Sequence, residues 1–246
     1  VIGDRTIFFD TLNSTNKYLL ENWQVLPSET VVWAKQQQNA YGRKGSFWSS
    51  NSGGLWFSVL FKPKKRPVNP WHYVRLYSLT VYDILKEYDI QAQIKWPNDV
   101  LVGDKKICGI LSEAVYAGKN PEAIIVGVGM NVNNCIPEEL NAKATSLIEY
   151  TSKQANLSKL LSRINHIAYY RYYLKYLKDK SVSVITKKWI NALNIKVGDS
   201  VEIIPVDGSP FYAEISSINP DYLEILDENY NVKNFFAGEI SVRTKK

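Results

Sequence analysis

Leu55-Trp56-Phe57-Ser58-Val59-Leu60-Phe61 is the stretch that most limits what this chain can fold into. It is β-prone and nearly unbroken in its apolarity, entered through Ser52-Gly53-Gly54 and stopped by prolines at 63, 67 and 70. A run this short without alternation predicts a strand buried on both faces. Such a strand needs a core around it. With 246 residues, 45% hydrophobic and 22% charged, the chain can supply one sizeable core, or a large domain with a small one attached. Its seven Trp and sixteen Tyr are expected mainly as packing.

Other elements follow from spacing. Residues 6–9 form a short β-prone run. Asn13-Ser14-Thr15-Asn16 offers four N-cap types ahead of Tyr18, Leu19, Leu20 and Trp23, a helix start. Thr30 to Ala34 is a second short strand. After Pro70, Val74, Tyr77, Val81, Ile84, Leu85 and Tyr88 recur at helical spacing. Ile90, Ala92, Ile94 and Trp96 alternate as a strand. Val100-Leu101-Val102 and Ile107 to Leu111 flank Gly103-Asp104 as a hairpin, and 123–130 is another apolar run. A long helix is predicted from Leu157 to Leu177. Beyond Val197 the pattern turns to short strands with close turns, Asp207-Gly208 among them. This predicts a small β-barrel and a boundary that divides the chain into 1–193 and 194–246.

The net charge of +6 suits an acidic partner, whether nucleotide, nucleic acid or acidic protein, without choosing among them. The clusters Lys62-Pro63-Lys64-Lys65-Arg66 and Lys105-Lys106 read first as solvated faces. Two cysteines, Cys108 and Cys135, lack the spacing of a zinc site and point to a reducing interior. No membrane span and no signal pattern are read, so a cytoplasmic location is expected.

Four segments differ from plain scaffold. Ser14-Thr15-Asn16 serves as a helix cap in most chains. Gly42-Arg43-Lys44-Gly45-Ser46-Phe47-Trp48 pairs glycines with cations and an aromatic ring, parts that suit an anion and a flat base; the alternative is a basic surface turn. Lys95-Trp96-Pro97-Asn98-Asp99 ends a strand in turn residues, and Lys106 with Gly109 stands just inside the next hairpin strand, where an ammonium can face a phosphate or carboxylate. Gly127-Val128-Gly129-Met130-Asn131 puts glycines in an apolar strand, which signals a bulge, tight packing or the close approach of a ligand.

In this order the segments resemble the catalytic region of the biotin–protein ligases. That family's pattern runs Ser-Thr-Asn, a Gly-Arg-Gly-Arg-x-Gly loop ending in Trp, Lys-Trp-Pro-Asn-Asp, Lys-x-x-Gly-Ile-Leu and Gly-x-Gly-x-Asn. Here the matches are Ser14 to Asn16, Tyr41 to Trp48, Lys95 to Asp99, Lys106 to Leu111 and Gly127 to Asn131, and Gly238-Glu239-Ile240-Ser241 resembles the family's close. Ala40 and Tyr41 depart from the loop's opening Gly-Arg. The resemblance implies that this changes the ordering of the loop or the retention of an intermediate, not the reaction.

The resemblance further implies an α+β fold, a mixed, largely antiparallel sheet with helices of the class II synthetase kind, plus a small C-terminal SH3-like barrel. It implies that biotin and ATP give biotinyl-AMP, and that biotin then passes to a lysine of a biotin carboxyl carrier protein. Lys106 and Arg43 are the implied catalytic cations, with Asp99 a possible aid to the acceptor lysine. Ser14, Thr15, Asn16, Gln38, Gly109 and Leu111 are implied to hold biotin. Ala40, Tyr41, Gly42, Arg43, Lys44, Gly45, Trp48, Asn98, Lys106 and Asn131 are implied to hold the nucleotide, with Trp48 stacking on adenine. Mg²⁺ is expected with ATP, its ligands unassigned. The catalytic pattern starts within the first ten residues, so no DNA binding through a preceding helix-turn-helix is expected; a homodimer is. The alternatives are a lipoate–protein ligase of the same superfamily and a non-catalytic basic module for nucleic acid.

Overall fold

The computed structural model describes residues 1–64, 69–178, 182–206, 208–219, 221–237 and 239–244. Lys65, Arg66, Pro67, Asp207 and Gly238, and the side chain of Lys44, lie outside the described residues. Seven strands form the main sheet in the order β1-β2-β3-β7-β6-β5-β4. They are β1 (Thr6–Leu12), β2 (Val31–Gln37), β3 (Leu55–Phe61), β4 (Ala92–Lys95), β5 (Asp99–Val102), β6 (Lys105–Ala117) and β7 (Asn120–Met130). Only β1 and β2 run parallel; every other neighbouring pair is antiparallel.

All seven residues of β3 are buried, because each face of that strand meets its own apolar layer. Leu55, Phe57, Val59 and Phe61 enter the large core under α2 (Trp71–Glu87), together with Val74, Tyr77, Ile84 and Leu85. Leu60 joins the smaller layer under α1 (Thr15–Asn22), with Leu19, Leu26, Val32, Ala123 and Ile125. Ser58 lies on that second side, where alternation calls for an apolar residue, and it is fully buried. Its partners belong to the site described below.

Two further helices, α3 (Ile148–Thr151) and α4 (Leu157–Ile167), follow the sheet. The helix expected from Leu157 to Leu177 changes winding: Ala168–Lys178 is a π-helix whose Tyr169, Tyr172 and Tyr173 turn to the core. The Tyr173 ring lies 5.2 Å from Phe61. After α5 (Val182–Ala192), five strands make a second sheet, β8 (Ser200–Pro205), β9 (Phe211–Ile218), β10 (Tyr222–Leu226), β11 (Val232–Phe236) and β12 (Ile240–Thr244), in the order β11-β10-β9-β8-β12.

This second sheet corrects the expected SH3-like barrel. The strands are antiparallel, as short strands with close turns predict, but the sheet is open. Among the described residues no ladder joins β11 to β12, the two edges. The Phe236 N–H at the end of β11 donates instead to the Glu239 carboxylate at 2.7 Å. Local turn signals count strands. The two strands whose pairing would close the sheet are consecutive in the chain, yet β12 crosses to pair with β8; turn signals mark where strands end, not which partner each one takes.

Candidate active site

Side chains from both halves of the chain converge on one cavity of about 360 Å³, within the roughly 300–1,000 Å³ range of small-molecule sites. One end is built by the start of α1. Ser14 caps that helix, its Oγ accepting from the Lys17 N–H at 3.3 Å, so the bland role of the Ser-Thr-Asn segment is real. Thr15 and Asn16 do more. The Thr15 N–H donates to Gln37 Oε1 at 2.8 Å, and Thr15 Oγ1 lies 2.6 Å from Ser58 Oγ. Ser58 donates to Asn16 Oδ1 at 2.5 Å, and Asn16 Nδ2 donates to Glu113 at 2.6 Å.

Three glycines form the floor. Gly109 stands opposite Gly129, and Leu111 opposite Gly127, across β6 and β7. A Cβ on Gly127 would sit 2.3 Å from Asn16 Oδ1, and one on Gly129 would sit 2.7 Å from Trp48 Nε1. These residues are glycine because a side chain and an indole occupy the space. The buried Trp48 Nε1 donor has no partner among the described residues, and such a donor at a cavity suits a ligand acceptor.

Lys106 reaches the same floor through a bulge. Residues 106 and 109 would point to opposite faces of a regular strand. The β5–β6 register shifts between Val100 and Leu101, so Ile107 and Cys108 are both buried and Lys106 shares a face with Gly109. A Gly109 Cβ would stand 3.0 Å from Lys106 Cε. The Lys106 ammonium lies 2.7 Å from Asp99 and 4.6 Å from the Trp48 ring centroid.

The other end is the 40–48 segment, a miniature hairpin. Tyr41 bridges Phe47, Gly42 N–H donates to the Ser46 carbonyl at 2.7 Å, and Trp48 N–H donates to the Ala40 carbonyl at 3.1 Å. Gly45 holds the turn at φ +70°, a conformation that favours glycine. Arg43 donates to Asn98 Oδ1 at 3.2 Å and to the carbonyls of Ala237 and Ile240 in the second sheet. Burial pulls the Arg43 guanidinium down from its ordinary range, opposed by the Asp99 charge. Asn98 is itself pinned, its Nδ2 donating to the Ile110 carbonyl at 2.7 Å. Tyr41 OH donates to Glu113, and its pKa is pushed up to about 12, chiefly by burial and then by the Glu113 charge.

The cavity therefore gathers Ser14, Thr15, Asn16, Ala40, Tyr41, Gly42, Arg43, Trp48, Asn98, Lys106, Gly109 and Leu111. Gln38 is exposed and outside the lining, and its neighbour Gln37 lines the wall instead. Three consecutive glutamines gave no signal to separate them. Asn131 also stands outside, donating to the Thr145 carbonyl and accepting from Asn134, so it braces the chain behind the floor. Gly45 shapes the turn without lining the cavity. Glu113, Ser58 and Ser241 were not among the expected site residues. A polar Ser inside the apolar run 55–61 was the available signal for one of them.

Among the described residues no group of three or more His, Cys, Asp and Glu comes together. The cavity's carboxylate, Asp99, is engaged by Lys106, and Glu113 behind the wall is engaged by Asn16 and Tyr41. These residues do not form a cage for Mg²⁺. Among the described residues no helix is long and apolar enough to cross a membrane.

A glycine-floored cavity with a cationic flap, on a seven-stranded mixed sheet, is a site for activating a small acid. Residues 8–131 match the Biotin/lipoate A/B protein ligase family, and the chain belongs to it. Within that family the fold is similar to that of the biotin protein ligase from Aquifex aeolicus in complex with biotin and ATP, at 28% identity and TM-score 0.82 over 99% of this chain and 100% of that one. The sequence is 28% identical over 249 residues to the bifunctional ligase/repressor BirA of Bacillus subtilis, covering 98% of this chain and 75% of that protein. The biotin protein ligase of Leishmania major in complex with biotinyl-5-AMP shares the fold at 18% identity and TM-score 0.64.

Proposed function

We propose that this chain is an ATP-dependent biotin–protein ligase. The observation that carries this reading is that Arg43 and Lys106, from distant segments, line one cavity whose far end is the Thr15–Ser58–Asn16 network. Biotin fits that division. Its ureido ring needs donors and acceptors in an apolar wall, which Thr15, Gln37 and Leu111 provide, and its carboxylate reaches toward the cations.

In the first step a biotin carboxylate oxygen attacks the α-phosphorus of ATP and pyrophosphate leaves, giving biotinyl-AMP. Two anions must approach, so positive charge has to be in place where negative charge gathers. Lys106 serves this once its ammonium turns from Asp99 to the carboxylate and α-phosphate. Arg43 serves it by exchanging backbone carbonyls for phosphate oxygens. Trp48 offers adenine a stacking face, and the 40–48 hairpin excludes water from a mixed anhydride that hydrolyses. In the second step a neutral lysine amine of the acceptor attacks the acyl carbon, an amide forms, and AMP departs. The acceptor is a biotin carboxyl carrier protein, and the chain's net charge of +6 suits an acidic one.

The test is mass spectrometry of the protein incubated with ATP and either biotin or lipoate. A biotinyl-AMP peak supports the reading. Lipoyl-AMP in its place moves the assignment to the lipoate branch. Neither adduct, together with retention on nucleic acid at physiological salt, overturns both.

A further inference from the structure

Glu113 closes the Lys105 to Glu113 segment and was given no role by the sequence, yet four polar side chains arrange themselves around its charge. An ionised carboxylate only accepts. The Asn16 group 2.6 Å from Glu113 is therefore its amide nitrogen, which turns Asn16 Oδ1 toward Ser58. Ser58 then gives its single proton to Asn16, at 2.5 Å. The 2.6 Å contact between Thr15 and Ser58 then takes the Thr15 proton, for which Gln37 Oε1, 3.1 Å from Thr15 Oγ1, competes. The Ser58 and Asn16 donors thus point toward Glu113, and Thr15 links that row to Gln37 on the cavity wall.

The second arm comes from the flap. Tyr41 OH lies 3.1 and 3.0 Å from the two Glu113 oxygens, so the same carboxylate holds the hairpin shut. Tyr41 stands where the family pattern has Arg. Here a neutral phenol does the holding, and among the described residues no ion pair to Glu113 is formed. Fixed dipoles, not a counter-charge, balance the carboxylate.

We propose that Glu113 is a positioning residue that couples closure of the 40–48 hairpin to the orientation of the Thr15–Ser58–Asn16 row, with Tyr41 as the latch on the flap. A closed latch sets the row for ligand, and a set row gives the latch its acceptor. This rests on the ligase reading for its consequence: retention of biotinyl-AMP depends on the latch.

The experiment compares Tyr41→Phe, Glu113→Gln and the double variant with the unaltered protein. One readout is the rate at which preformed biotinyl-AMP leaves. The other is trypsin cleavage after Arg43 or Lys44 in the ligand-free protein, followed by mass spectrometry. Loss of one hydrogen bond to a charged acceptor is expected to speed release and flap cleavage about tenfold in Tyr41→Phe. Because both residues act through one contact, the double variant should be no faster than the quicker single. Unchanged release and cleavage in Tyr41→Phe, or effects that multiply in the double variant, overturn the latch. If the unaltered protein makes no biotinyl-AMP, the ligase reading falls while the cleavage readout still decides the latch.

Discussion

The Lys106 ammonium is paired with the Asp99 carboxylate at 2.7 Å, both side chains partly exposed to the cavity. A cation held this way is poised for exchange, since an incoming carboxylate or phosphate offers what Asp99 offers and more charge besides. Partial exposure keeps the pair weak enough to open.

Lys106→Ala should therefore leave the fold intact and cut biotin-dependent pyrophosphate release by about a hundredfold or more, the scale of losing one preorganised charge donor. Steady-state pyrophosphate assays at saturating biotin and ATP check it. Turnover near that of the unaltered protein would falsify the role given to Lys106.

Gly127→Ala places a methyl group where Asn16 Oδ1 lies, 2.3 Å from the ideal Cβ. Asn16 is wedged between Ser58 and Glu113, so it has no room to yield. Overpacking of this kind costs about 1–3 kcal/mol. The urea midpoint should fall accordingly, and calorimetry should find biotin binding weakened as the row loses its geometry. Normal binding by the alanine variant would mean that Asn16 is not held as described.

Much of this was legible in the sequence because local chemistry dictated it. The apolar run 55–61 forms the strand it predicts, and the helical spacing after Pro70 becomes α2. The spacing of Lys106 and Gly109 was visible, but its reason was not: the bulge that aligns them exists only once β5 pairs with β6. The choice of Gln37 over Gln38 and the gathering of donors at Glu113 likewise depend on contacts between segments 22 to 97 residues apart. Openness of the second sheet was illegible for the same reason: β11 and β12 are consecutive yet stand at opposite edges, because β12 crosses to pair with β8.

Arg43→Lys tests whether the fork of the guanidinium matters beyond its charge. Arg43 bonds Asn98 with one nitrogen and the carbonyls of Ala237 and Ile240 with another. A lysine carries the charge but cannot span these sites in one plane. The Michaelis constant for ATP should rise about tenfold or more, on the scale of one or two charge-assisted bonds, while biotin binding without ATP changes little. An unchanged ATP constant would reduce Arg43 to a bulk positive charge.

His72 gives the protein a pH dependence of stability remote from the cavity. Its pKa is lowered from 6.5 to about 4, first by burial and then by the Arg75 charge, with Asp221 opposing. The sign follows from proton counting. Between about pH 6.5 and pH 4 the unfolded chain binds a proton at this residue that the fold refuses, so stability falls as pH drops through that window and is unaffected by His72 above it. The full effect is on the order of 3 kcal/mol. Arg75 is buried where Asp221, just before β10, meets α2, so a protonated imidazole there adds a like charge beside a guanidinium with little solvent. Urea midpoints measured from pH 7.5 to 4.5 should slope downward, and His72→Gln, which cannot be protonated, should flatten that part of the slope. Parallel slopes for the two proteins would assign the acid sensitivity to the carboxylates instead.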